Sequence, residues 1–337
     1  MSIANLEPRA SGGLVPEASD RLKVVYITGA GRSGTTLLDI LLGELDGFFS
    51  AGEMRWLWWG YLNNWRCGCN LPIRDCPVWT SILTRLYGTA PNDELIRRTM
   101  RQQQTAVRLH YLPRILAKQP GKPTGWPELD VCIDTARRLY AAIAEETGAR
   151  VIVDSSKNAP EAGLLRLVPT FDTYVLQLTR DPRAVANSQK RRVKMEPGAD
   201  TTFEQPVHNS VISALIWARK NAASDLTRVR FTSKRARLVR YEDLVGRPQE
   251  TLREIAELVG EPWAGLQFSG ERTVRLSGNH TAWGNPSRFR TGDIELRLDN
   301  EWVRKLGFMD RMIPTTVSLP LLLRYRYPLR RSGVTSP

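Results

Sequence analysis

Between residues 24 and 38 the chain reads VVYITGAGRSGTTLL, an apolar strand that runs into a glycine-rich turn and then into a helix opening on hydroxyl side chains. Gly29, Gly31 and Gly34 allow the backbone to turn tightly and to approach an anion. The amides of Ser33 to Leu37 would face that anion from the positive end of the helix. Arg32 stands inside the turn, where a guanidinium can grip a terminal phosphate bidentately or lie beside the bridging oxygen of a leaving group. The pattern predicts a phosphate-bearing ligand. A nucleoside-triphosphate loop would carry Lys and then Ser or Thr after its second glycine; Thr35 and Thr36 stand there instead, so the lysine that reaches the β- and γ-phosphates is missing.

A second segment, VLQLTRDPRAVANSQKRR at 175–192, places Arg180 and Asp181 at the end of a strand and a helix after them. Ser188 and Arg192 are four residues apart and share a helix face, so with Arg180 they offer three donors to one dianionic phosphate. The alternative is a solvated basic helix with Arg183, Lys190, Arg191 and Arg192 all facing water. RSGTTLL at 32–38 resembles the 5′-phosphosulfate-binding loop of sulfotransferases that use 3′-phosphoadenosine 5′-phosphosulfate (PAPS), and its leading arginine is similar to that of tyrosylprotein and many bacterial sulfotransferases. The 175–192 segment resembles that family's 3′-phosphate-binding element. The resemblance implies an enzyme that moves a sulfuryl group from PAPS to a hydroxyl or amine of an acceptor, releases 3′-phosphoadenosine 5′-phosphate (PAP), and has no obligatory metal. It assigns Arg32, Ser33, Gly34, Thr35 and Thr36 to the 5′ end of the donor and Arg180, Ser188 and Arg192 to the 3′-phosphate.

Sulfuryl transfer requires an anchored donor, positive charge beside the departing bridge oxygen, and a base for the acceptor's proton. The resemblance points to Glu53, in SAGEMRW, as the base, because its separation from Arg32 is similar to that in tyrosylprotein sulfotransferases; the alternative is a glutamate that only opposes a helix dipole. Only three histidines exist, His110, His208 and His280, and none follows a strand where small-molecule sulfotransferases carry theirs. That place reads VDSSKN, where the resemblance puts a catalytic lysine, Lys157; the alternative is a lysine capping turn carbonyls. Asp154 could orient the lysine or act as a base. GNHTAWGNPSRFR at 278–290 resembles the carboxy-terminal substrate and nucleotide loop of bacterial sulfotransferases, with Ser287, Arg288 and Arg290 closing over PAPS on glycine hinges at 278 and 284. LVRYEDLVG at 238–246 leads a strand into Tyr241, which either contacts the nucleotide or packs its ring in the core. Glu242 and Asp243 are expected to cap the following turn.

These residues need a frame. Apolar runs at 23–28, 150–154, 174–179 and 235–240 each precede a polar turn or helix entry, as buried parallel strands do. The expected fold is α/β, a P-loop-type three-layer architecture with a central parallel sheet flanked by helices, and the ligand lies across the strands' carboxyl ends. Charged amphipathic helices from Arg137 and Pro248 should end near Gly148 and Gly260. A mostly helical, Cys-containing insertion is expected at about 53–148 within a single domain at 21–312, preceded by a loose amino terminus at 1–20 and followed by a basic tail at 313–337.

The 337 residues, 42% of them hydrophobic, suffice for one large core. No apolar run is long enough to cross a membrane, and the expected location is cytoplasmic. The formal charge of +13 suits an anionic ligand or surface, and no zinc-finger spacing or arginine-rich tract argues for nucleic acid. In the tail, SLPLLLRYRYPLRR alternates apolar and basic residues; Leu321 to Leu323 should pack against the body, with peripheral contact to an anionic membrane as the alternative. Cys67, Cys69 and Cys76 fall within RCGCNLPIRDCPVW, far from Cys132. A CxC with a third thiolate could take zinc given a distant fourth ligand, but the paired units of ordinary zinc sites are lacking. Buried thiols or a reversible disulfide are therefore expected, and no metal. Trp56, Trp58, Trp59, Tyr61 and Trp65 should be mostly core, with one face lining an apolar or aromatic acceptor pocket. Small molecule, glycan, lipid and peptide acceptors all stay open. The rival readings are a Mg²⁺-dependent nucleotide kinase and a non-catalytic binder of anions.

Overall fold

A computed structural model describes residues 21–190 and 207–329. Five parallel strands form the central sheet: β1 (Leu22–Gly29), β2 (Phe48–Gly52), β3 (Val151–Asp154), β4 (Phe171–Thr179) and β5 (Ala236–Arg240), in the order β2-β3-β1-β4-β5. β1 is central and pairs with β4 along its whole length, from Leu22 opposite Phe171 to Gly29 opposite Leu178.

Side chains alternate across these strands, so each face feeds its own core. Val25, Ile27, Val153, Leu176 and Leu178 meet the helices Thr35–Gly43 and Pro248–Val259 on one face. Val24, Tyr26, Ile152 and Val175 meet the helix Pro127–Thr147 and its neighbours on the other. Burial on both faces is why β1 and β3 read as apolar runs, while the edge strand β5 is only half-buried. Helices Pro127–Thr147 and Pro248–Val259 stop at Gly148 and Gly260, both left-handed, which glycine adopts without a Cβ penalty.

The segment between β2 and β3 is helical, with elements at Leu57–Leu62, Pro77–Tyr87, Asp93–Ala106, Leu112–Leu116 and Pro127–Thr147. Trp58, Tyr61 and Trp65 are buried there while Trp59 is exposed. Two features depart from the sequence expectation. β2 is an additional strand, short and broken by a register shift between Ser50 and Gly52. The region after Gly260 forms an antiparallel hairpin, β6 (Thr273–Leu276) with β7 (Gly292–Glu295).

In the tail, Leu322, Tyr325 and Tyr327 are buried against Ala30, Val185 and Trp217. Leu323 is exposed, but the segment as a whole is docked on the body through its neighbours. No helix among the described residues is long and apolar enough to cross a membrane. Arg192, expected to contact the 3′-phosphate, lies outside the described residues, as do 1–20 and 330–337.

Candidate active site

The carboxyl ends of all five strands point to one edge of the sheet, and every sequence-selected segment emerges there. β1 ends at Gly29, whose φ of 135° and close approach to Leu178 O exclude any side chain. Arg32 follows in a left-handed conformation, φ 66°, a costly one for a residue other than glycine and one often found at binding loops. Gly34 caps the helix Thr35–Gly43 with no side-chain hydrogen bond, and no acidic residue sits in the first turn. The dipole at this helix end is therefore unopposed by the chain itself. Ser33 is fully buried and its hydroxyl has no hydrogen-bond partner among the described residues. An anion in the loop would satisfy it.

The second segment meets the loop. Arg180 Nη1 donates to Arg32 O at 3.2 Å, and Arg32 Nη2 donates to Ser188 O at 3.2 Å. The Arg180 guanidinium lies 4.5 Å from the centre of the Tyr241 ring and pairs with Asp299 at 3.2 Å. Tyr241 in turn closes on the loop so tightly that a Cβ on Gly34 would come within 2.5 Å of its ring. Arg32, Arg180, Ser188 and Tyr241 are thus one cluster. Arg183 does not face water: it is buried, paired with Asp181, and donates to Pro328 O. Glu242 accepts from Asp181 N at 3.1 Å and from Tyr327 Oη at 2.9 Å, so it braces this loop.

Glu53 and Lys157 meet from the ends of β2 and β3 as a largely buried ion pair. Lys157 is also left-handed, φ 62°, and its amide donates to Ile27 O at 3.2 Å, fixing it beside β1. Glu53 N donates to Trp283 O at 2.9 Å. Asp154 does not reach the lysine in the way expected; it accepts from Ser156 N at 2.8 Å and from Tyr140 Oη at 2.5 Å, and so shapes the turn that presents Lys157. Burial, with Glu161 adding to it, pushes its carboxyl up to about 7.

Three residues here have no obvious sequence signal. Asp39, on the helix Thr35–Gly43, is buried and accepts from Ser50 Oγ at 2.9 Å and Ser155 Oγ at 2.8 Å, tying the helix to β2 and to the turn after β3. Burial raises its carboxyl to about 7. Lys220 comes from the helix Ser210–Arg228; burial, with Arg55 and Lys157 also lowering it, holds its amine below the usual lysine range. Asn285 N donates to Thr36 Oγ1 at 3.1 Å, which seats the 278–290 loop on the glycine-rich turn after β1 and the start of its helix.

Within that loop Arg288 is buried, donates to Gly284 O at 2.7 Å and Arg66 O at 3.0 Å, and lies 5.0 Å and 4.2 Å from the ring centres of Trp283 and Phe289. These contacts hold the loop together. Ser287 is half-buried, its amide held by Asn285 Oδ1 at 3.1 Å, and Arg290 is exposed. A mainly apolar recess is lined by Met54, Trp58, Val107, Leu139 and Leu164, with Glu161 and Asp154 at its wall; Glu53 does not line it.

A family model described as the sulfotransferase family matches residues 25–265, and the chain belongs to that family. No curated protein sequence matches it. Among solved structures, it is similar to the sulfotransferase domain of the Synechococcus PCC 7002 olefin synthase, at 20% identity over 94% of this chain and 99% of that one, with a TM-score of 0.50. It also matches sulfotransferase STF9 from Mycobacterium avium, at 13% identity over 92% of this chain and 78% of that one, with a TM-score of 0.44. The fold and family are those of a transferase.

Proposed function

We propose that the protein transfers a sulfuryl group from PAPS to a hydroxyl or amine of an acceptor, with Glu53 as general base. The observation that carries this reading is the Glu53–Lys157 pair, set at the strand ends beside a phosphate loop that contains an unpartnered buried hydroxyl. The loop amides with Ser33, Thr35 and Thr36 suit the 5′-phosphosulfate, and Arg180 with Ser188 suits the 3′-phosphate. Tyr241 offers a ring beside Arg180 for the nucleoside. Glu53 takes the acceptor's proton, while Lys157 and Arg32 supply positive charge where the bridge oxygen departs. The transferred group carries less negative charge than a phosphoryl group, so side-chain cations and amides can replace the Mg²⁺ clamp of kinases. The recess beside Met54 suits an acceptor with an apolar or aromatic body.

Calorimetric binding of PAP in EDTA, with ADP and Mg²⁺-ATP as controls, tests the donor. Metal-independent binding that disappears without the 3′-phosphate is the expected result. Preference for Mg²⁺-ATP would make the protein a kinase, and binding of polyanions with no nucleotide preference would make it an anion-binding scaffold.

A further inference from the structure

Cys67, Cys69 and Cys76 lie around His280, and the four ligand atoms all fall within 4.8 Å of one another. His280 Nδ1 is 3.3 Å from Cys76 Sγ and 3.8 Å from Cys67 Sγ. A tetrahedral zinc ion with bonds of about 2.3 Å to sulfur and about 2.0–2.1 Å to nitrogen sets sulfur–nitrogen edges of about 3.5 Å and sulfur–sulfur edges of about 3.8 Å. The two measured edges bracket the first of these values.

The backbone around the thiols is built to hold them. Cys67 N donates to Leu71 O and Asn70 N to Cys67 O, both at 2.8 Å, which folds CGCNL into a tight knuckle with Asn70 left-handed. Gly68 admits no side chain, because a Cβ there would lie 1.9 Å from Asn279 Oδ1. Cys76 is the residue that leads into the helix Pro77–Tyr87. Trp79 Nε1 donates to His280 O at 2.7 Å, so the histidine is anchored from its backbone as well. A disulfide would join two of the thiols and would give the imidazole no role. Cys132, the other cysteine of the chain, is elsewhere, donating to Gln102 O.

We propose that Cys67, Cys69, Cys76 and His280 bind one zinc ion in a closed Cys₃His site. Binding replaces the protons of the three thiols with the metal, which takes the four bonds Zn–Sγ, Zn–Sγ, Zn–Sγ and Zn–Nδ1 and keeps no open position. Soft thiolates in a tetrahedral set select zinc over hard cations. The ion is structural, and its reach is specific. His280 begins the segment in which Ala282 N donates to Ala51 O at 3.0 Å and Trp283 O accepts from Glu53 N at 2.9 Å. The metal therefore clamps the residues before Pro77 to the strand end that carries Glu53.

The test is metal analysis of protein purified without chelator, followed by cobalt substitution of the zinc-stripped chain. About one zinc per chain is expected, and cobalt should give the intense visible bands of a tetrahedral thiolate site. Cys76→Ser and His280→Ala should each lower zinc retention in chelator at least tenfold, while Cys132→Ser keeps full stoichiometry. Because the variants could fold poorly, the cobalt spectrum of the wild-type chain stands by itself as a readout. Metal-free protein that takes up neither ion, or a disulfide among the three cysteines in non-reduced peptide mapping, would overturn the proposal.

Discussion

Lys157 and Glu53, 104 residues apart in sequence, form an ion pair at the adjacent ends of β3 and β2, with side chains only 17% and 10% exposed. Neither charge is well solvated, so each depends on the other. The pair also sets a carboxylate and a cation beside β1, whose end leads into the Arg32 loop, the combination that the proposed sulfuryl transfer would use.

Glu53→Gln should lower turnover about 10²- to 10⁴-fold, the range for loss of a general base, while PAP affinity changes little. Steady-state kinetics alongside calorimetry would separate the two effects. An equal loss of binding would assign Glu53 to the donor site instead.

The mutual dependence has its own signature in stability. Lys157→Met leaves the Glu53 carboxylate buried without its partner and should lower the melting temperature; adding Glu53→Gln should restore part of that loss without restoring activity. Thermal denaturation of the two single variants and the double variant checks this. Strictly additive effects would show that the pair is not coupled in solution.

Arg180→Ala should weaken PAP binding about ten- to a hundredfold, as expected for a charge-assisted contact. Adenosine 5′-phosphate, which lacks the 3′-phosphate, should be affected much less. Similar losses for both nucleotides would place Arg180 elsewhere.

Gly34→Ala adds a Cβ that meets the Tyr241 ring at 2.5 Å, at a φ of 89° that disfavours any side chain. Nucleotide binding should be lost while the far-ultraviolet circular dichroism stays that of a folded chain. Combining it with Tyr241→Ala removes the clash but not the backbone strain, so binding should recover only in part.

Asp39 and Asp154 predict a pH effect on stability. Both carboxyls are raised to about 7 in the folded chain, by burial above all, against about 3.9 when unfolded. Between these values the folded state holds protons that the unfolded state has released. Stability from these groups is therefore fully present below about pH 4 and declines as pH rises towards about 7. Asp39→Asn should flatten that decline in urea titrations run between pH 5 and 8. A slope identical to that of the wild-type chain would show that Asp39 does not carry it.

Four of the five central strands are legible in the sequence, β1, β3 and β4 because burial on both faces enriches them in Val, Leu and Ile, and the edge strand β5 through its short apolar centre before Tyr241. β2 is not: FFSAG is short, ends in small residues and carries a register shift, so composition alone does not distinguish it from a loop. The clustering of Arg32, Arg180 and Ser188 follows from strand-to-turn grammar, since each lies just beyond or on the helix after a strand. Long-range partnerships left no such mark. His280 sits 204 residues from Cys76, and nothing local to either announces their meeting. Asp39 and Lys220 read as ordinary helix residues until the fold buries the first and half-buries the second. The bonds from Arg288 to the carbonyls of Gly284 and Arg66 likewise have no mark in the sequence.

The hydrogen bond from Glu53 to the carbonyl of Trp283 spans 230 residues, and it orders events in time. During synthesis β1 and β2 leave the ribosome well before residues 280–283, which fix the backbone at Glu53. Because contacts of such sequence separation form late, the edge of the sheet at Glu53 should be among the last parts of the fold to close.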